Sequence, residues 1–528
     1  MVKRRNFLRT IATGVVGFQI FPRRAVKSLT VAKDVSTARL NDGVSKALLQ
    51  LNNGPAVGPL RKSGLQYLGQ LRERRSPEIS GSRWGVWCGW IADEHPLSVE
   101  QRLDHLSTTG AKLVLLVPDW NRIEQVKGKY DWNTPGHRLD DVVNGLASLK
   151  ITPIIQVYGG NRLYMKTEPD VNNRLLADAA LLLDDPVVRQ AWHRYLEAMV
   201  RRYKKHVKVW EIWNEPNGSW FWATPTTVKD YGRMVRDVAA VIRSVQSKAV
   251  VLAGATAMVS LPYLEGFLPS EGSNSFDRWS VHPYGELPES SEKGILDARE
   301  LLRKQGKSDV LWQSECGFPS SAETGGWGWG GPWDETKHAK WLLRRLLTDA
   351  RMDMPVSIYF ALHDYPCVLE LGPDKGKMGI NRKGLYRYDT WEPKSAAYAL
   401  TYLSSLLDDR FENLPAALSP RFESAGSDSL PASKSELIKT YLLRHKSDKQ
   451  PALVYWLGTP METEFQPVSI TLTLPGATIA EPVLVDLLDG RVYALPGQVQ
   501  TGEFRFKNLP LADSPIVLCS RTAVELKQ

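Results

Sequence analysis

Trp210-Glu211-Ile212-Trp213-Asn214-Glu215-Pro216-Asn217 ends an apolar strand in a carboxylic acid flanked by an amide and a proline. Proline cannot donate to a further rung of a sheet, so the strand stops there and leaves Glu215 at its mouth. A second ending of this kind follows at Val310-Leu311-Trp312-Gln313-Ser314-Glu315-Cys316-Gly317. Asn-Glu-Pro alone also fits a plain turn. Two carboxyl groups on strand ends, facing each other across one cleft, are what retaining glycoside hydrolysis requires, at a separation of about 5 to 5.5 Å. Residues 211, 213 and 215 share one strand face by alternation, which sets Glu211 deeper than Glu215 and makes it a buried structural acid.

Outward from these endings, short apolar runs alternate with longer helical patterns, as repeated βα units around a parallel sheet do. Eight runs stand out: Trp84 to Trp90, Leu113 to Trp120, Pro153 to Tyr158, Val207 to Trp213, Val250 to Ala255, Arg278 to Pro283, Val310 to Ser314 and Val356 to Leu362. Helical periodicity fills the gaps at Pro186 to Lys204, Thr227 to Gln246, Lys293 to Lys304 and Glu335 to Ala350, and closes at Lys394 to Leu407. The expectation is an α/β fold, a (β/α)8 TIM barrel over residues 81–407, whose active site gathers at the C-terminal strand ends. The acids fall on the fourth and seventh runs. Beyond residue 408 the composition turns to Ser-, Pro- and Asp-rich loops and then to strand-like alternation from Leu437 to Cys519, which predicts a C-terminal β-sandwich domain over 408–528.

The N-terminal 32 residues hold Lys3-Arg4-Arg5-Asn6-Phe7-Leu8-Arg9 and an apolar stretch from Thr10 to Phe21, too short to span a bilayer. The arginine pair resembles a twin-arginine export signal and implies a periplasmic or secreted protein. Residues 33–80, polar and broken by Gly and Pro, suit a linker or surface wrap, with an amphipathic helix at Val44 to Leu51. The net charge is +9, but Lys and Arg are spread along the whole chain rather than massed in one block and no recognition motif accompanies them, which argues against a nucleic-acid partner. No later segment suits stable membrane insertion. Cys88, Cys316, Cys367 and Cys519 lack metal-site spacing and are expected as free thiols, with no metal or other cofactor. Several of the 18 Trp, including Trp222, Trp327, Trp329 and Trp333, lie in loops where flat faces suit sugar rings.

Residues 84–404 resemble clan A of the glycoside hydrolases. The matching features are Trp213-Asn214-Glu215-Pro216, then Ser280-Val281-His282-Pro283-Tyr284, then Ser314-Glu315-Cys316-Gly317, in that order. Trp120-Asn121-Arg122-Ile123-Glu124 with Gly128, Tyr130 and Trp132 resembles the clan as well. A barrel with a trailing sandwich is similar to family 39, and family 5 is a close competitor. One departure is the eighth ending, Ala361-Leu362-His363-Asp364-Tyr365, which lacks the Trp that many members place under the sugar.

The resemblance implies a β-glycosidase acting on oligo- or polysaccharide. Glu215 would be the general acid/base, protonated before cleavage. Glu315 would be the ionised nucleophile. Asn214 would meet the 2-hydroxyl, Tyr284 would donate to Glu315, and His282, Trp120, Tyr158, Trp222 and Trp327 would line the substrate. Two alternatives stay open: a binding-only protein on a glycosidase-like barrel, and a transglycosylase.

Overall fold

Eight parallel strands pair in a closed circle: β1 (Trp84–Trp87), β2 (Leu113–Leu116), β3 (Thr152–Val157), β4 (Val209–Ile212), β5 (Val250–Ala257), β6 (Arg278–His282), β7 (Leu311–Cys316) and β8 (Ser357–Tyr359), with β8 returning to β1. Each lies within or overlaps one of the eight runs expected from sequence. The computed structural model describes residues 54–169, 174–321, 333–368, 377–414, 419–424, 436–496, 498–500 and 503–528. The expected export signal, the helix at Val44 to Leu51 and Trp327 lie outside the described residues.

The strands read as continuous apolar runs because a barrel wall is covered on both faces. All of Trp84–Trp87 and all of Val209–Ile212 are buried. The connecting helices start where short polar side chains accept the unpaired N–H groups of the first turn. Ser98 and Gln101 form a capping box on Val99–Thr108, and Thr227 and Asp230 form one on Val228–Val245. Asp185 caps Pro186–Tyr203, where proline at the first position gives up no helical bond.

Register brings the C-terminal ends level. Val157 pairs Ile212 between β3 and β4, and Cys316 pairs Tyr359 between β7 and β8. The chain leaves β4 and β7 at one rim. There β7 and β8 approach so closely that a side chain at Gly317 would collide with the Phe360 carbonyl oxygen.

Past the barrel, a seven-stranded and a four-stranded antiparallel sheet enclose a second core that includes Leu453, Tyr455, Leu472, Leu484 and Phe506. The N-terminal segment expected as linker or wrap contributes to this module. Tyr67–Gln70 pairs with Arg491–Ala494 at the edge of the larger sheet, and Leu60 is buried in its core. Phe411–Asn413 and Arg421–Ser424 add strands where loops are expected from composition. All four cysteines are buried and unbridged. Among the described residues, no helix is long and apolar enough to cross a membrane.

Barrel and sandwich meet across the helix Glu335–Arg351, which is buried along its length from His338 to Ala350. Its polar side chains are paired rather than solvated. The Arg344 guanidinium grips both Glu289 oxygens at 2.8 and 2.7 Å and donates to the Thr459 carbonyl at 2.7 Å. Trp456 of the sandwich donates to the same Glu289 at 2.7 Å, and Lys340 pairs with Asp513 at 2.7 Å.

Removing one partner of such a pair strands the other charge. Arg344→Ala is expected to destabilise the protein by roughly 3 to 5 kcal/mol in urea unfolding. The double replacement of Arg344 and Glu289 by leucine should recover most of the loss. A loss below about 1 kcal/mol would show that the pair does not brace the two modules.

Candidate active site

The turn after β4 sets the first acid by forcing two side chains into the left-handed region, Trp213 at φ 69° and Glu215 at φ 41°. Such conformations cost on the order of 1 to 3 kcal/mol and persist only where packing over-determines them. The surroundings supply that packing. The Trp213 ring stacks on Trp222 at 3.9 Å, the Trp213 amide donates to Val157 O and the Glu215 amide to Ala255 O. Glu315 is placed more simply, one residue before the end of β7.

The two acids and His282 converge. One carboxylate oxygen of each acid and one His282 ring nitrogen lie within 4.8 Å of one another. Glu215 is 6% and Glu315 8% exposed, and His282, at the end of β6, is 0%. His282 Nδ1 lies 3.0 Å from Glu215 Oε1, and Trp220 Nε1 donates to Glu215 Oε2 at 2.6 Å. Tyr284 Oη donates to Glu315 Oε1 at 2.8 Å. These three groups are the one set among the described residues with donors close enough to ligate a metal ion, but Glu215 and Glu315 already hold protein hydrogen bonds and His282 Nδ1 faces Glu215.

Below them, Glu211 is fully buried and accepts from Gln156 Nε2 at 2.7 Å and Ser280 Oγ at 2.6 Å. Gln156 also donates to Asn214 Oδ1 at 3.2 Å, which fixes the Asn214 carbonyl and leaves its NH2 as the donating end. Tyr158 stands beside Trp213 and Phe221, under the Arg174 guanidinium.

Charge is shared unevenly. Burial pushes Glu315 up to about 7, assisted by the like charge of Glu215 and resisted by His282, the Tyr284 hydroxyl and Lys383. Burial works to deprotonate His282, yet the charges of Glu315, Glu215 and Glu211 prevail and raise it to about 9. The resting pocket thus keeps a proton on the imidazolium, whose Nδ1–H donates to Glu215. Burial thus works against the ionised Glu315 that the resemblance implies, while His282, the Tyr284 hydroxyl and Lys383 work for it.

Trp120 and Trp222, expected on the substrate, are packing residues instead. Trp120 is 1% exposed, stacks between Tyr164 and Tyr195, and donates to Glu124. Trp222 is 2% exposed behind Trp213. Trp333 likewise packs on Phe318. Indoles so deeply buried offer little open surface to a sugar.

A further aromatic cluster lies at the exits of β1 and β8. Phe360, directly after β8, packs on Trp87 at 4.5 Å, and Trp87 and Tyr365 both meet Trp90. Phe360 lies inside the eighth apolar run, where nothing in the sequence sets it apart from the strand around it. Lys383 was missed for want of any local signal. It is 3% exposed, with Nζ 5.2 Å from the Tyr284 ring and 5.9 Å from that of Phe360.

The model of the cellulase family, glycosyl hydrolase family 5, matches residues 75–344, half of the chain. No curated protein matches in sequence. Among solved structures, the chain is similar to a family 39 glycoside hydrolase from the gut symbiont Bacteroides cellulosilyticus WH2, with 19% identity, 85% of this chain and 83% of that one covered, and a TM-score of 0.57. It is similar as well to a monomeric β-xylosidase from Caulobacter crescentus CB15 (14%, 86% and 97%, 0.54). A family 30 endoxylanase from Clostridium papyrosolvens C71 gives 13%, 86% and 98%, and 0.52. At these identities the structures speak for the barrel fold, while the family model spans the segment that carries β1 to β7 and both acids. The chain belongs to glycosyl hydrolase family 5 within clan A, and is an O-glycosyl hydrolase.

Proposed function

We propose that the protein is an exported, retaining β-glycosidase that works by double displacement through Glu215 and Glu315. The observation that carries this reading is the approach of one oxygen from each carboxylate to within 4.8 Å at the ends of β4 and β7, as the close pair of a retaining enzyme requires. In the first step a Glu315 oxygen attacks the anomeric carbon, the glycosidic bond breaks, and Glu215 protonates the departing oxygen. In the second, water attacks that carbon, Glu215 takes its proton, and the ester to Glu315 breaks. An indole N–H can only donate, so Oε2 under Trp220 acts as an acceptor while that contact holds. The transferable proton then rides on Oε1, where the His282 imidazolium supplies it. Asn214 meets the 2-hydroxyl, a contact that strengthens as positive charge develops.

Glu215→Ala and Glu315→Ala should each lower kcat on aryl β-glycosides by roughly 10⁴-fold. Azide should restore turnover of Glu315→Ala as the α-glycosyl azide and of Glu215→Ala as the β-azide. NMR should show the β-anomer released first by wild type. Release of the α-anomer would remove the mechanism. A protein that binds a glycan without turning it over would be the binding-only alternative, and transfer to added sugar in place of water would be the transglycosylase.

The pH dependence follows from the pocket's charges. Glu315 must be ionised to attack, so its raised value moves the acid limb of kcat/KM up toward 7. The proton held by His282 must be present, so its raised value places the basic limb near 9. Tyr284→Phe removes a donor that favours the carboxylate and should move the acid limb further up, by roughly one pH unit. An acid limb near 4 that ignores this change would contradict the assignment.

Export rests on Arg4-Arg5 and the following apolar stretch. Replacing both arginines by lysine should retain the protein inside the cell, as fractionation would show. Unchanged export would mean another route.

A further inference from the structure

Lys383 is a cation in a pocket where a neutral sugar needs none. Its ammonium rests on the rings of Tyr284 and Phe360, which follow β6 and β8 and so flank Glu315 on β7. The loop that carries it is fastened from below. The Gly384 amide donates to Asp364 Oδ1 at 2.8 Å, and Asp364 in turn holds Lys394 at 2.6 Å, all buried. A side chain at Gly384 would strike the Asp364 amide nitrogen, so the loop is pressed against the exit of β8. The Lys383 carbonyl accepts from Tyr359 Oη at 3.0 Å. A lysine anchored at both neighbours and capped by two rings has little freedom to leave the pocket.

Its position relative to a bound sugar follows from connectivity. The anomeric carbon has two ring neighbours, C2 and the ring oxygen. With that carbon over Glu315 and the 2-hydroxyl at Asn214 after β4, the ring oxygen and C5 lie on the other side, toward Tyr284, Phe360 and Lys383. Whatever substituent C5 bears is therefore the part of the sugar that meets the ammonium. A hydrogen or hydroxymethyl group makes little use of a buried cation. A carboxylate makes a charge-assisted hydrogen bond there, strong because the site is dry.

We infer that Lys383 selects a hexuronic acid, a sugar with a carboxylate on C5, in the subsite over Glu315. This deepens the glycosidase reading and rests on it. Burial draws the Lys383 ammonium down to about 8 against the pull of Glu315, so a bound carboxylate would restore a charge that the empty pocket holds weakly.

The test compares kcat/KM for p-nitrophenyl β-glucuronide, β-glucoside and β-xyloside, which share one leaving group, in wild type, Lys383→Met and Lys383→Arg. Wild type should prefer the glucuronide by at least about 10-fold, and Lys383→Met should lower the glucuronide-to-glucoside ratio by roughly 100-fold. Lys383→Arg, which keeps the charge, should retain part of the preference and guards against misfolding as the cause. A wild type that prefers the neutral sugars overturns the inference. So does a Lys383→Met variant that loses activity equally on all three, which would make Lys383 a counter-charge for Glu315 alone. A wild type inert on all three overturns the hydrolase reading instead. Titration calorimetry with glucuronic acid and glucose then decides the matter of Lys383. Tighter binding of glucuronic acid that Lys383→Met abolishes supports it, and equal affinities overturn it.

Discussion

Three carboxylates are buried within one barrel mouth, and the rest of the site is arranged around the cost of holding them there. Glu211, Glu215 and Glu315 are each less than a tenth exposed. Like charges that close cannot all ionise in a dry pocket without compensation. Glu211 is settled by hydrogen bonds from Gln156 and Ser280, Glu215 by His282 and Trp220, and Glu315 by Tyr284. His282 takes the proton that the acids together cannot dispense with. The same arrangement that makes the pocket tolerable also sets its chemistry: burial raises the Glu315 carboxyl toward neutrality, and the neighbouring acids raise the His282 imidazole above its ordinary range.

Such a pocket needs a frame that cannot relax. The left-handed backbone at Trp213 and Glu215 would straighten if the Trp213–Trp222 stack or the amide bonds to Val157 and Ala255 gave way. Straightening would swing Glu215 away from His282. The large buried indoles therefore act on the chemistry through structure: Trp222, stacked behind Trp213, holds the turn on which the acid stands. The sandwich adds rigidity from outside, since the helix Glu335–Arg351 packs against both the barrel strand β8 and the sandwich strand Ile438–His445. Glu289, gripped by Arg344 and Trp456 together, begins one turn after the segment carrying His282 and Tyr284. The ion pair that the sandwich's Trp456 joins and the catalytic strand ends are thus neighbours along the chain.

Much of this was legible in the sequence, for physical reasons that also mark its limits. Barrel strands announce themselves because burial on both faces demands unbroken apolar runs, as at Val209–Ile212. Strand-end acids announce themselves because a charge after such a run has few structural excuses. Glu211 was correctly placed below Glu215 by simple alternation. The indoles misled, because exposure is decided by tertiary packing that a loop-like sequence does not reveal. Trp120 and Trp222 sit beside Gly, Asn and Pro in sequence but beneath other rings in space. The strand Tyr67–Gln70 was hidden for a related reason: its partner Arg491–Ala494 stands at the far end of the chain, so no local pattern betrays the pairing. Charge sharing was out of reach altogether, since it depends on distances among strands four, six and seven.

Lys383 shows where such reading stops and why. Nothing in Asn381-Arg382-Lys383-Gly384 distinguishes its lysine from the many on the surface. Its burial comes from contacts made by others: Gly384 permits the loop to touch Asp364, Lys394 neutralises Asp364, and the rings of Tyr284 and Phe360 leave one space between them. Two cations consequently stand near the two acids, His282 beside Glu215 and Lys383 toward the far side of Glu315. Their duties differ by chemistry. An imidazolium can surrender its proton within the catalytic pH range, so His282 suits the acid that must gain and lose one. A lysine set against two rings has its position fixed by elements on either side of Glu315, so it suits recognition by placement.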